Sequence, residues 1–118
     1  MRLSELFHDV WPFLLIAIWF IYKRFKTQKT INMLEQLRAL GAVEIDVRSA
    51  VEFSQANAPT SKNIPLQDLG NRLSEIPKDR PVILCCASGG RSGMAKMILL
   101  QHGYNEVYNI GAWTNLLS

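Results

Sequence analysis

The chain has 118 residues and a mass of 13.4 kDa, with 48% hydrophobic and 19% charged residues. That is the size of one domain. It is too apolar for a disordered chain and too short for a dinucleotide-binding fold joined to a substrate domain. The net charge of +3 is uneven: Arg2, Lys23, Arg24, Lys26 and Lys29 outweigh Glu5 and Asp9 in residues 1–29, whereas acids and bases balance over residues 30–118. The body therefore has no basic face for nucleic acid. Cys85 and Cys86 are adjacent, a spacing that strains a disulfide. With no CxxC pair and no Cys/His cluster, neither a metal nor a cofactor is expected.

Residues 10–22 (VWPFLLIAIWFIY) carry no charge. Extended back to Leu6, the run would make roughly 25 Å of helix, close to a hydrocarbon core of about 30 Å. Trp11, Trp19 and Tyr22 stand toward its ends, where amphipathic rings favour the headgroup zone. Pro12 is expected in the first turn, which tolerates it. A secretory signal would begin basic and end at a small-residue cleavage site, and this run does neither. Residues 6–22 are therefore read as crossing a lipid bilayer once, the alternatives being an uncleaved helix packed on the domain or a partner, or a signal peptide. The lysines and arginine that follow place the body in the cytoplasm by the positive-inside rule, on an inner or plasma membrane. Residues 27–30 are read as a polar linker. The expected division is residues 1–29, anchor and basic linker, and residues 30–118, one domain.

In the body, Ile31, Leu34, Leu37 and Leu40 recur at helical spacing, with Thr30 as cap and Gly41 as stop. Residues 43–47 (VEIDV) alternate as a strand. Ser49 and Glu52 form a capping-box pair for a short helix. Residues 57–62 read as a loop, residues 64–66 as extended, and Leu66, Leu69, Leu73 and Ile76 as a helix weakened by Gly70. Residues 81–86 (PVILCC) are a continuous apolar run, as in a strand covered on both faces. Residues 92–102 read as a helix ended by Gly103, residues 106–110 as a strand and residues 112–117 as a terminal helix. Met94, Met97 and Trp113 are expected in the core, and His8 and His102 to be solvated or capping. The alternation predicts a small α/β domain with a mainly parallel sheet, whose sites lie outside the carboxyl ends of its strands.

The loop after Cys86 occupies such an end. Residues 82–93 run V-I-L-C-C-A-S-G-G-R-S-G: a buried strand, a glycine loop, a helix. Inward-facing backbone N–H groups, a helix N-terminus and a nearby arginine all favour a thiolate. Gly89 and Gly90 let the backbone approach an anion. A thiolate so prepared attacks without a separate base.

Cys86-Ala-Ser-Gly-Gly-Arg-Ser92 resembles the active-site loop of the rhodanese-like sulfurtransferases. Over residues 30–118 the resemblance extends to Asp46-Val-Arg48, Glu52-Phe53, Asn63-Ile-Pro-Leu66, Gly103-Tyr104 with Val107-Tyr108, and Gly111-Ala-Trp113. The chain departs from the family at Ala56-Asn57-Ala58, where Gly-His-Ile is common, and in having only Gly111 before Trp113. The resemblance implies a five-stranded parallel sheet flanked by helices, here preceded by the membrane helix. It implies that Cys86 takes a sulfane sulfur from thiosulfate or a persulfide and passes it to a thiol or cyanide. Arg91 and the backbone of Ala87, Ser88, Gly89, Gly90 and Ser92 would hold the anion, with Asp46 and Arg48 structural or at the rim. Two alternatives stand beside it. Counted from Cys85, five residues precede Arg91, the loop length of cysteine phosphatases and arsenate reductases; and a tethered domain of this kind could serve as a non-catalytic binding module. A homo-oligomer is left open.

Overall fold

The computed structural model describes residues 2–118. A single helix, α1 (Leu3–Ala39), runs for 37 residues, roughly 55 Å at 1.5 Å per residue. The expected linker at residues 27–30 is part of it. That stretch holds neither Gly nor Pro, and the Thr30 hydroxyl donates back to the Lys26 carbonyl at 3.2 Å instead of capping a new helix. Because α1 starts at Leu3, Pro12 lies inside the helix and not in its first turn. It has no N–H for the His8 carbonyl, which therefore lacks its helical partner. Residues 2–26 are exposed throughout, and the molecule measures 59 × 30 × 29 Å. The apolar part of α1 is long and apolar enough to cross a membrane, and none of it is buried. At the other end Leu34 and Leu37 are buried. Gly41, at φ +82°, turns the chain out of the helix.

The body alternates short elements: β1 (Val43–Asp46), α2 (Ala50–Gln55), β2 (Ser61–Asn63), β3 (Val82–Cys86), α3 (Gly90–Gln101) and β4 (Val107–Ala112). The four strands are parallel in the order β2-β1-β3-β4. Five strands were implied by the resemblance; four form. Strand β2 falls in the expected loop. Its residues, Ser-Lys-Asn, are polar because it is an edge strand of three residues. The expected helix over Leu66–Ile76 is two 3₁₀ stretches, Leu66–Asn71 and Leu73–Glu75. The terminal helix is also 3₁₀, Trp113–Leu117.

Strand β3 is buried at every position and separates two cores. On one face Leu84 and Cys86 pack with Ala95 and Leu99 of α3. On the other, Ile83 and Cys85 pack with Leu34 and Leu37 of α1, Ile110 and Leu116, with Trp113 partly buried against them. Helix α3 buries Ser92, Ala95 and Leu99. Met94 and Met97, expected in the core, lie on its opposite face at 59% and 62% exposure.

Helix α1 runs antiparallel to the strands. Its carboxyl end leads through Gly41 into the start of β1. Thr27 lies at the far end of the sheet, where a Cβ on Gly111 would come within 3.3 Å of Thr27 Cγ2. The apolar part of α1 therefore projects beyond the carboxyl edge of the sheet. Leu37, at 2% exposure, anchors the docked end. Leu37→Ala is expected to lower stability by about 2–5 kcal/mol, read as a shifted denaturant midpoint of the full chain in detergent. An unchanged midpoint contradicts this packing.

Candidate active site

Strand alternation decides where each cysteine points. Cys85 faces the α1 side and Cys86 the α3 side, the side on which the following loop closes. The loop turns at Gly89, whose φ of +107° belongs to the left-handed region, costly for any residue with a Cβ. A Cβ there would also lie 3.4 Å from the Gly111 Cα. The turn brings the Gly89 N–H to 3.0 Å from Cys86 Sγ, and Ser92 Oγ stands 3.3 Å from the same sulfur. Burial alone would raise the Cys86 pKa. The Ser92 hydroxyl and the amides of Ser92, Gly89 and Ser88 overcome that and hold the thiol below its ordinary value of 9.0. Cys85 goes the other way: burial first, then the Asp46 charge, push its thiol up. The phosphatase-type alternative therefore has its cysteine on the wrong face, in protonated form.

Ser92 Oγ also lies 2.7 Å from Asn109 Oδ1. The hydroxyl has one proton, so it donates to one of the two acceptors at a time. Asn109 is fixed by its neighbours: Nδ2 donates to the Gly89 carbonyl at 3.0 Å and Oδ1 accepts from the Gly111 N–H at 3.0 Å. One β4 side chain thus ties both the turn and the serine that serves the sulfur.

Arg91 opens α3, but its guanidinium is engaged by Glu52, Nη1 to Oε1 at 2.6 Å and Nη2 to Oε2 at 3.0 Å. It stands at the rim, 39% exposed, within electrostatic reach of Cys86. Glu52 also completes the capping box of α2 with Ser49. The Arg91 hydrogen bonds, then those from Ser49, hold its carboxyl down at about 2. The pair is therefore intact above the ordinary carboxylate range and is lost as pH falls through about 2. Asp46 and Arg48 form a buried ion pair at 2.8 Å, with 0% and 5% side-chain exposure. Arg48 also donates to the Ala56 carbonyl at 2.8 Å and lies over the Trp113 ring at 4.8 Å. The pair joins β1, α2 and the terminal turn and makes no hydrogen bond to the sulfur.

Of the residues singled out from sequence, Cys86, Ser88, Gly89 and Ser92 come together around one atom. Ala87 and Gly90 are exposed beside them. Sequence reading missed Asn109, whose one signal is a polar residue inside an apolar strand. It noted Glu52 as a cap and family match but not as the partner of Arg91.

The Rhodanese-like domain profile matches residues 28–116, more than half of the chain. This chain belongs to the rhodanese-like domain family. It is 41% identical over 66 residues to a sulfurtransferase of Allochromatium vinosum, a match covering 56% of this chain and 62% of that protein. The chain thus spans under two thirds of that relative's length. A thiosulfate sulfurtransferase of Pseudomonas savastanoi is 29% identical over 76 residues, covering 64% of this chain and 72% of that one. A solved human single-domain sulfurtransferase superposes with a TM-score of 0.63 at 27% identity, covering 73% of this chain and 90% of the other.

In this rhodanese-like domain the Gly89 turn is the point on which the sulfur's surroundings rest. Gly89→Ala is expected to cost about 1–2 kcal/mol in backbone strain and to slow Cys86 alkylation at neutral pH. Gly90→Ala, with no atom within 4 Å of the added methyl, should change neither. Equal behaviour of the two variants contradicts the assigned turn.

Proposed function

We propose that this chain is a sulfurtransferase working through a Cys86 persulfide. The observation that carries the reading is a buried cysteine at a strand end, its sulfur 3.0 Å from the Gly89 N–H and 3.3 Å from Ser92 Oγ. Hydrogen bonds of that kind stabilise a thiolate, and equally a persulfide anion one sulfur longer.

The Cys86 thiolate attacks the outer sulfur of thiosulfate or of a persulfide. A new S–S bond forms, the donor's S–S bond breaks, and its electron pair leaves with sulfite or with the donor thiolate. Cys86 then carries the extra sulfur as –S–S⁻. An acceptor thiolate, or cyanide in an assay, attacks that outer sulfur and Cys86 thiolate is restored. Sulfur moves without an external oxidant or reductant. Ala87 and Ser88 add no charge to the mouth; the cation there is Arg91, paired with Glu52, so an anionic donor meets it in competition with that carboxylate. Further support comes from the sulfurtransferase names of the relatives.

Residues 6–22 serve as a single-pass anchor. The lysines and arginine after them hold the domain of residues 30–118 on the cytoplasmic side of an inner or plasma membrane.

Mass spectrometry of the full chain after incubation with thiosulfate tests the chemistry. The expected result is a gain of about 32 Da on Cys86, one persulfide sulfur, reversed by thiol, absent in Cys86→Ser and retained in Cys85→Ser. An adduct on Cys85, or none with either thiosulfate or a persulfide donor, overturns the proposal.

A further inference from the structure

Strand β4 is an edge strand, and a groove of about 530 Å³ runs along it between α1 on one face of the sheet and α3 on the other. Lys23, Lys26, Lys29, Lys96, Tyr108 and Asn109 are among its lining residues, and no acidic residue lines it. Among the described residues none of these four lysines forms an ion pair. Three belong to α1; Lys96 comes from α3, far from the apolar segment in sequence.

The groove also has a defined height. Helix α1 is unbroken between the apolar run and the groove, and the antiparallel course of α1 puts the groove on the side of the sheet from which that run projects. Lys26 is four residues past Tyr22, roughly 6 Å along the axis. The headgroup zone is about 5–7 Å deep on each side of the hydrocarbon. The Lys23 and Lys26 ammonium groups lean back over the Trp19 and Tyr22 rings at 4.6 and 5.3 Å, the direction helical side chains take.

We infer that this groove binds the phosphate of an anionic phospholipid headgroup and so sets the domain, with its sulfur site, against the bilayer surface. Clustered cations, an absence of carboxylates and continuity with an apolar helix fit a lipid phosphate better than a soluble one. The inference rests on reading α1 as a membrane anchor; it does not depend on the sulfur chemistry.

The test uses the full chain in nanodiscs of phosphatidylcholine with and without phosphatidylglycerol, with native mass spectrometry of the lipid retained on release. Phosphatidylglycerol should be retained over phosphatidylcholine. Lys96→Gln and Lys26→Gln should each reduce that preference about fivefold. Lys96→Gln should keep the unfolding midpoint of the unaltered chain, showing that it is folded, and Cys86→Ser should retain the lipid. Equal retention of both lipids, or a preference indifferent to Lys96→Gln, overturns the lipid site. Displacement of the lipid by inorganic phosphate added to the nanodiscs also overturns it, in favour of a soluble anion. Flotation with neutral vesicles tests the anchor separately. A chain that does not float removes anchor and lipid site together, whereas one that floats without lipid preference loses only the site.

Discussion

A sulfur atom buried at the end of a strand is ionised only if hydrogen-bond donors surround it. Here the Gly89 N–H at 3.0 Å and Ser92 Oγ at 3.3 Å supply them, and the rest of the site follows from holding those donors in place. Gly89 can point its N–H inward because glycine accepts a φ of +107°. Ser92 is in reach because α3 begins immediately after the turn. Asn109 reaches across from β4 and binds both. The twofold alternation of β3 then separates two chemically identical residues: Cys86 enters this polar ring, and Cys85 is buried beside the Asp46 carboxylate, which disfavours its ionisation.

Two ion pairs brace the loop from the other direction. Asp46 and Arg48 are fully or nearly buried, and a charge pair in such a place holds only while both partners remain. Each is well satisfied: Arg48 donates to Asp46 and to the Ala56 carbonyl. That fixes the exit of α2, and α2 presents Glu52 to Arg91. Arg91 is thus held at the mouth of the site by a carboxylate on a separate element. The sulfur below it keeps only amides and a hydroxyl as direct partners.

The strands and helix that build the site were legible in the sequence because strong local patterns specify them. Residues 81–86 are apolar throughout, as a strand covered on both faces must be, and residues 92–102 combine a glycine entry with a glycine exit. The loop residues around Cys86 followed from the same pattern. Other parts were illegible for identifiable reasons. Strand β2 is three polar residues at an edge, with no alternation to betray it. Thr27 to Thr30 are polar but contain no helix breaker, so they extend α1. Met94 and Met97 are apolar residues on a face that the small side chains Ser92 and Ala95 do not share. Asn109 acts through tertiary contacts at residues 89, 92 and 111, which no local spacing reveals.

Helix α1 also has a defined course relative to the site: the edge of the sheet that carries Cys86 is the edge from which its apolar segment projects. All of this matters chemically only if the sulfur ionises more readily than a free thiol. The direct measurement is the pH dependence of Cys86 alkylation in a Cys85→Ala background. The midpoint should lie below that of a free cysteine thiol, about 8.5, the direction the surrounding donors impose, and rise when Ser92 is replaced by Ala. A midpoint at or above that of a free thiol, or one that Ser92→Ala leaves unmoved, would contradict the amide and hydroxyl ring as the source of reactivity.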